Sequence, residues 1–109
     1  MLKEEARELW AQALESGRYE QGFRILNRNN RQCPLGVACI LYQEEVGGLA
    51  VRDDGDGYAV LYDELGASPP LRVLEWLGLS DQDVVRFMHL NDEELKSFPE
   101  IALAIRQIT

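Results

Sequence analysis

From Leu35 to Tyr42 the chain reads LGVACILY, in which Leu35, Val37, Ala38, Cys39, Ile40, Leu41 and Tyr42 are all apolar. A helix that is apolar on every side has no face to offer water, so the rest of the protein must enclose it. Pro34 suits the first helical position, where its missing N–H leaves no bond unmade. Gln43, Glu44 and Glu45 mark the return to water, and Gly47-Gly48 supply the stop. The run is far shorter than the ~20 residues of a membrane span. The pattern therefore predicts a buried central helix at about 34–45, with every other element arranged around it.

Those other elements are written in shorter signals. Leu2, Ala6, Leu9, Trp10, Ala13 and Leu14 recur at helical spacing, Glu4 and Glu5 suit the positive end of the helix dipole, and Gly17 follows as a terminator. Tyr19 to Leu26 reads as a strand, with Tyr19, Gln21, Phe23 and Ile25 on one face and Arg18, Gly22 and Arg24 on the other. Asn27-Arg28-Asn29-Asn30 is turn chemistry, because Asn tolerates the left-handed region, and Arg31 and Gln32 begin a very short returning strand. Leu49 to Arg52 and Tyr58 to Tyr62 read as a hairpin about the turn DDGDG. Ser68 and Pro69 open a helix that turns Val73, Leu74 and Leu77 inward and closes at Gly78. Ser80 with Asp83, and Ser97 with Glu100, read as capping boxes that start two further helices. The whole predicts an α+β fold: one helix-rich domain over residues 1–109 with a small antiparallel sheet.

Charge narrows the functional classes. The chain carries a net charge of −8, which disfavours direct binding to a DNA backbone. The stretch from Arg18 to Arg31 holds four arginines against Glu20 alone, a local +3, so the remainder carries −11. Leu90 to Ala102 resembles the lead-in to a helix-turn-helix, but it is net acidic and Thr109 leaves no room for a recognition helix. The N-terminal MLKEEARELW lacks the apolar core of a signal peptide, and no segment is long enough to span a membrane. The expectation is a cytoplasmic protein that does not contact the membrane. Cys33 and Cys39 are the only cysteines and His89 the only histidine. That set falls short of a structural zinc site and reads as reduced thiols, with no metal and no cofactor implied.

Four features are candidates for chemistry. Asp53-Asp54-Gly55-Asp56-Gly57 invites a calcium-loop reading, yet counting from Asp54 puts Ala59 where that loop requires glycine. The same turn, with Asp63, Glu64, Glu44 and Glu45, makes an acidic surface able to imitate a phosphate backbone or simply to keep the protein soluble. Cys33 before Pro34 sits at a helix N-terminus, where the dipole favours thiolate; His89 could act as base and Asn91 or Asp92 as its orienter. The basic stretch leads straight into that same N-terminus, and both arginine forks and free helix N–H groups suit phosphate or carboxylate. The candidate ligand-binding set is Arg18, Tyr19, Gln21, Arg24, Arg28, Arg31, Gln32 and Cys33. Tyr19 and Phe23 could stack on a ligand, although strand parity turns them away from the arginines. Pairing of the arginines with the chain's own surplus carboxylates is the competing account.

Four stretches carry a resemblance: ALESGRYEQGFRIL, QCPLGVACILY, LRVLEWLGLS and LNDEELKSFPEIALAI. They resemble, in the same order, a widespread family of short uncharacterised phage and bacterial proteins, with residues 43–66 outside the match. Ser16, Gly17, Arg18, Tyr19, Gln21 and Gly22 fit the first family motif, and Cys33, Leu35, Gly36, Val37 and Cys39 the second. Asn91, Asp92, Ser97 and Phe98 fit the last, with its glycine lost and its turn lengthened. Pro34 stands where the family often has a second cysteine, which counts against metal or redox chemistry. The resemblance implies context rather than mechanism. Within that context, the split charge and the lack of a convincing catalytic set lead to the expectation of a non-enzymatic phage-type accessory protein, for host takeover or anti-defence, that binds a host protein or sequesters a small anionic nucleotide in the host cytoplasm. The alternatives are a cysteine-dependent hydrolase using Cys33 and His89, and a purely structural subunit that self-associates into a homo-oligomer.

Overall fold

A computed structural model describes residues 1–55 and 59–108. In chain order its elements are α1 (Lys3–Glu15), β1 (Asn27–Arg28), β2 (Arg31–Gln32), α2 (Pro34–Glu45), β3 (Val51–Asp53), β4 (Val60–Tyr62), α3 (Leu71–Leu77), α4 (Asp81–Asp92) and α5 (Phe98–Arg106). The class is α+β. Two antiparallel two-stranded sheets, β1–β2 and β3–β4, are joined by a bridge between Arg28 and Ala59 and by the Asn27 amide, which donates to the Tyr62 hydroxyl at 3.0 Å.

The apolar run forms the predicted central helix. From Pro34 to Cys39 every residue of α2 is buried, as are Leu41 and Tyr42, and α1, α3, α4 and β2 all pack on it. The Trp10 indole N–H donates to the Pro34 carbonyl at 2.7 Å, tying α1 to the first turn of α2 inside the core. Trp10 meets Phe87 of α4 edge to face at 5.5 Å, and Tyr42 meets Trp76 of α3 in the same way. Across the outer layer, Arg106 of α5 donates to both Glu8 and Glu15 of α1, at 2.7–3.0 Å. These bonds hold both carboxyls below their usual range and the guanidinium above its own.

Local signals translate directly. Ser80 and Asp83 exchange side-chain and backbone bonds at the start of α4, and Ser97 and Glu100 do the same for α5. Asn29 (φ 54°) and Asn30 (φ 60°) form the two-residue turn between β1 and β2, both in the left-handed region that such a hairpin requires. Two expectations need correction. Ser68 does not cap α3, which begins at Leu71 with Pro70 extended before it (φ −59°, ψ 149°). Pro70 disfavours helical geometry at Pro69, so the helix cannot start until both prolines are passed. The strand expected from Tyr19 to Leu26 is also absent. That segment is irregular, with one bridge from Gln21 to Gln32, and the strands lie after it. In the β3–β4 hairpin Val51 pairs with Tyr62 and Asp53 with Val60; its turn residues 56–58 lie outside the described residues.

The irregular segment rests on α2. The Leu26 N–H donates to the Gly66 carbonyl at 2.8 Å, and the Leu26 carbonyl accepts from the Cys33 N–H at 3.3 Å. Gly36 lies so close to that carbonyl that an added Cβ would stand 1.6 Å from its oxygen. The obstacle is backbone, which cannot rotate aside. Gly36→Ala should therefore destabilise the protein by about 3 kcal/mol, the upper end of ordinary overpacking. Urea unfolding will show this as a lower midpoint at an unchanged slope.

Candidate functional site

Two side chains of α4 take the place of a partner strand for residues 21–24. Asn91 is fully buried. Its Oδ1 accepts from the Gln21 Nε2 at 2.7 Å, and its Nδ2 donates to the Gly22 carbonyl at 2.9 Å and to Asp92 Oδ1 at 2.9 Å. The Gln21 amide also donates to the Lys96 carbonyl at 2.7 Å, and the Arg24 N–H donates to Asp92 Oδ1 at 2.9 Å. Backbone groups that a strand would have paired are thus satisfied by side chains some seventy residues away. Arg24 sits at φ 72° while the Ile25 N–H bonds the Phe23 carbonyl at 2.9 Å, the tight positive-φ γ-turn that is rare and strained. The turn reverses the side-chain alternation on which the expected strand faces depended.

The eight predicted site residues consequently separate. Gln21, Arg28 and Arg31 line an open groove of about 250 Å³ together with Phe23, Ile25 and Asn29. Arg28 and Arg31 stand directly opposite one another across the β1–β2 pair. Arg31 lies 3.5 Å from Glu20, both side chains exposed, and Arg28 forms no ion pair among the described residues. Arg24 points elsewhere, 3.5 Å from Glu93. Arg18 lies over the Tyr19 ring, its guanidinium carbon 5.3 Å from the centroid. Tyr19 turns inward, its hydroxyl buried without a hydrogen-bond partner among the described residues and its acidity weakened chiefly by burial. Gln32 is buried and structural: its amide donates to Asn27 Oδ1 at 3.0 Å, and its backbone bonds Glu20 and Gly22.

Cys33 lies outside the groove. It precedes α2 and, with Arg24, Leu35, Phe87, Asn91 and Asp92, encloses a cleft of about 10 Å³, the lower limit for a single water. The Gly36 and Leu35 N–H groups do face the sulfur, as its place at a helix N-terminus implies, but burial outweighs them and pushes the thiol up to about 11. Burial pushes the Cys39 thiol up further still. His89 is on the exposed side of α4, its Nε2 3.4 Å from Glu94. Among the described residues no three His, Cys, Asp or Glu side chains converge as a metal-binding group, and no helix is long and apolar enough to cross a membrane.

The family model for Domain of unknown function (DUF8296) matches residues 2–109. The chain belongs to this family. No curated protein and no solved structure matches it. In this DUF8296 chain, Gln21-Gly22 and Asn91-Asp92 form one hydrogen-bonded unit.

Phe23, offered by the sequence as a stacking residue but set by strand parity on the face away from the arginines, has half of its surface exposed and lines the groove beside Arg28 and Arg31. Asn91 and Asp92 shape the loop, although the sequence suggested them only as orienters of His89. The available signal was that Gln21-Gly22 and Asn91-Asp92 both lie in stretches that carry the family resemblance.

Asn91→Ala strips partners from the Gln21 amide and the Gly22 carbonyl and should cost about 3 kcal/mol in urea unfolding, since each buried group left unpaired costs about 1–3 kcal/mol. Arg24→Gly, which relieves the positive φ and loses only an exposed ion pair, should stay within about 1 kcal/mol of wild type. Native protein at pH 8 should alkylate with iodoacetamide at least about tenfold more slowly than free cysteine, because burial keeps the Cys33 thiol protonated, and urea should restore the rate. Equal native and unfolded rates would mean that Cys33 is open to reagents.

Proposed function

We propose that this chain is a non-enzymatic accessory protein that acts by binding an anionic partner in the groove between residues 21–25 and the β1–β2 hairpin. One observation carries the reading: Arg28 and Arg31 face each other across the hairpin. Like charges directly opposite on a strand pair are destabilising. An arrangement that breaks a local rule, with no counter-charge at Arg28 among the described residues, is characteristic of a functional site. An incoming carboxylate or phosphate supplies that counter-charge, and arginine forks bind both groups through paired N–H bonds. The chain's net charge of −8 leaves this groove as a local exception, which steers an anion toward it.

The non-enzymatic part of the reading is supported by the state of the one nucleophile considered. The Cys33 thiol is buried and weakly acidic, and His89 is engaged with Glu94 on the surface. The likeness to short phage proteins supplies the setting, a host cytoplasm in which the anion belongs to a host protein or a small nucleotide.

Binding is tested by following backbone amide NMR shifts while titrating pyrophosphate, and separately a glutamate-rich decapeptide. At least one of them should shift residues 22–31 selectively, and Arg28→Glu/Arg31→Glu should abolish the effect while leaving the circular dichroism spectrum unchanged. Silence from both probes would remove the groove as a binding site.

A further inference from the structure

Resting on that reading of the groove, we infer that its ligand is a nucleoside monophosphate, with the base stacked on Phe23 and the terminal phosphate held between Arg28 and Arg31. The first support is the pairing of unlike groups. Phe23 keeps 47% of its surface exposed although it stands in a lined groove beside two guanidinium groups. An aromatic face next to paired arginines suits a ligand that is flat and apolar at one end and anionic at the other. Bases of every kind stack on aromatic side chains because each has a π-face.

The second support is charge. A phosphate monoester carries about −1.5 to −2 at pH 7, whereas a backbone diester carries −1. Two opposed arginines, one with no internal partner among the described residues and one sharing only an exposed carboxylate, match the monoester. A polynucleotide would also have to approach a chain of net charge −8, while a single nucleotide touches only the basic patch. The third support is size. The groove offers about 250 Å³, just below the ~300–1,000 Å³ of pockets that enclose drug-sized ligands, so it takes one nucleotide rather than two.

The structure also prepares the site. Gly22 lies against Arg31, where an added Cβ would stand 3.0 Å from the Arg31 Cβ, so the floor of the groove is backbone pressed on the hairpin. The γ-turn at Arg24 follows Phe23 directly, and the Asp92 carboxylate fixes it. Phe23 is therefore presented from a pinned loop and loses little conformational freedom when a base covers it.

Calorimetry of the full chain with AMP, UMP, ribose 5-phosphate and inorganic phosphate tests the inference, alongside the glutamate-rich peptide. AMP should bind at least tenfold more tightly than ribose 5-phosphate. Phe23→Ala, at an exposed position where the fold is unaffected, should reduce AMP affinity about tenfold to the ribose 5-phosphate level, and Phe23→Trp should restore it. Equal affinities for AMP and ribose 5-phosphate, or an AMP affinity indifferent to Phe23→Ala, would overturn base recognition while leaving an anion site. Binding of the peptide without AMP would overturn the nucleotide and point to an acidic protein partner. No binding by any probe would remove both this inference and the broader reading.

Discussion

The first turn of α2 lies against the Leu26 carbonyl at a distance that only glycine permits, and much else is positioned by that approach. The Cys33 N–H reaches the same oxygen, so the segment leading into the hairpin and the helix leaving it are locked together at one peptide group. Leu26 is itself fully buried, and its N–H continues the lock to Gly66 in the stretch after β4. Three chain segments thus meet at one residue. The central helix is enclosed because these segments can come close, which its uniformly apolar surface demands but does not itself arrange.

Around that contact the protein satisfies its backbone by unusual means. Residues 20–26 pass between β2 and the end of α4 with few strand bonds. The groups left over are met by Asn91 and Asp92. A buried amide that both donates and accepts can serve two strangers at once, and Asn91 does so with Gln21 and Gly22. Such a network is valuable only when complete, because a half-satisfied one is costlier than an apolar contact. It fixes the loop in one shape, and that shape carries Phe23 outward beside Arg28 and Arg31.

What could be read from the sequence follows the range of the interaction involved. The capping boxes at Ser80 and Ser97, the Asn29-Asn30 turn and the burial of α2 depend on neighbours a few residues apart, and each was legible. The start of α3 was misplaced by two prolines in a row, a rule also local but read too loosely. The Tyr19–Leu26 strand was a stronger error. Its alternating pattern is real, yet beyond the short bridge to Gln32 its partners are side chains from α4 that no local window contains. The charge cluster was visible for the same reason the caps were. Its division was not, because the positive φ at Arg24 sends one arginine to Glu93 and leaves Arg28 and Arg31 facing the groove. Helix-end donors at Cys33 were also foreseen, whereas burial, the larger influence on its thiol, is a tertiary property.

The bonds from Asn91 to residues 21 and 22 join the wall of the groove to a helix sixty-nine or seventy positions further along the chain. The groove therefore exists only when distant parts of the chain have already met, and it vanishes with them. Whatever occupies it acts as a thermodynamic clasp on the whole fold: at a hundred times its dissociation constant, an occupant that ignores the unfolded chain adds about 2.7 kcal/mol. Against a typical net stability of about 5–15 kcal/mol, such a clasp is large enough to decide how much of the protein survives in a cell. With an occupant of that kind, abundance and occupancy would rise and fall together, and the protein would persist where the occupant is present and be cleared where it is not.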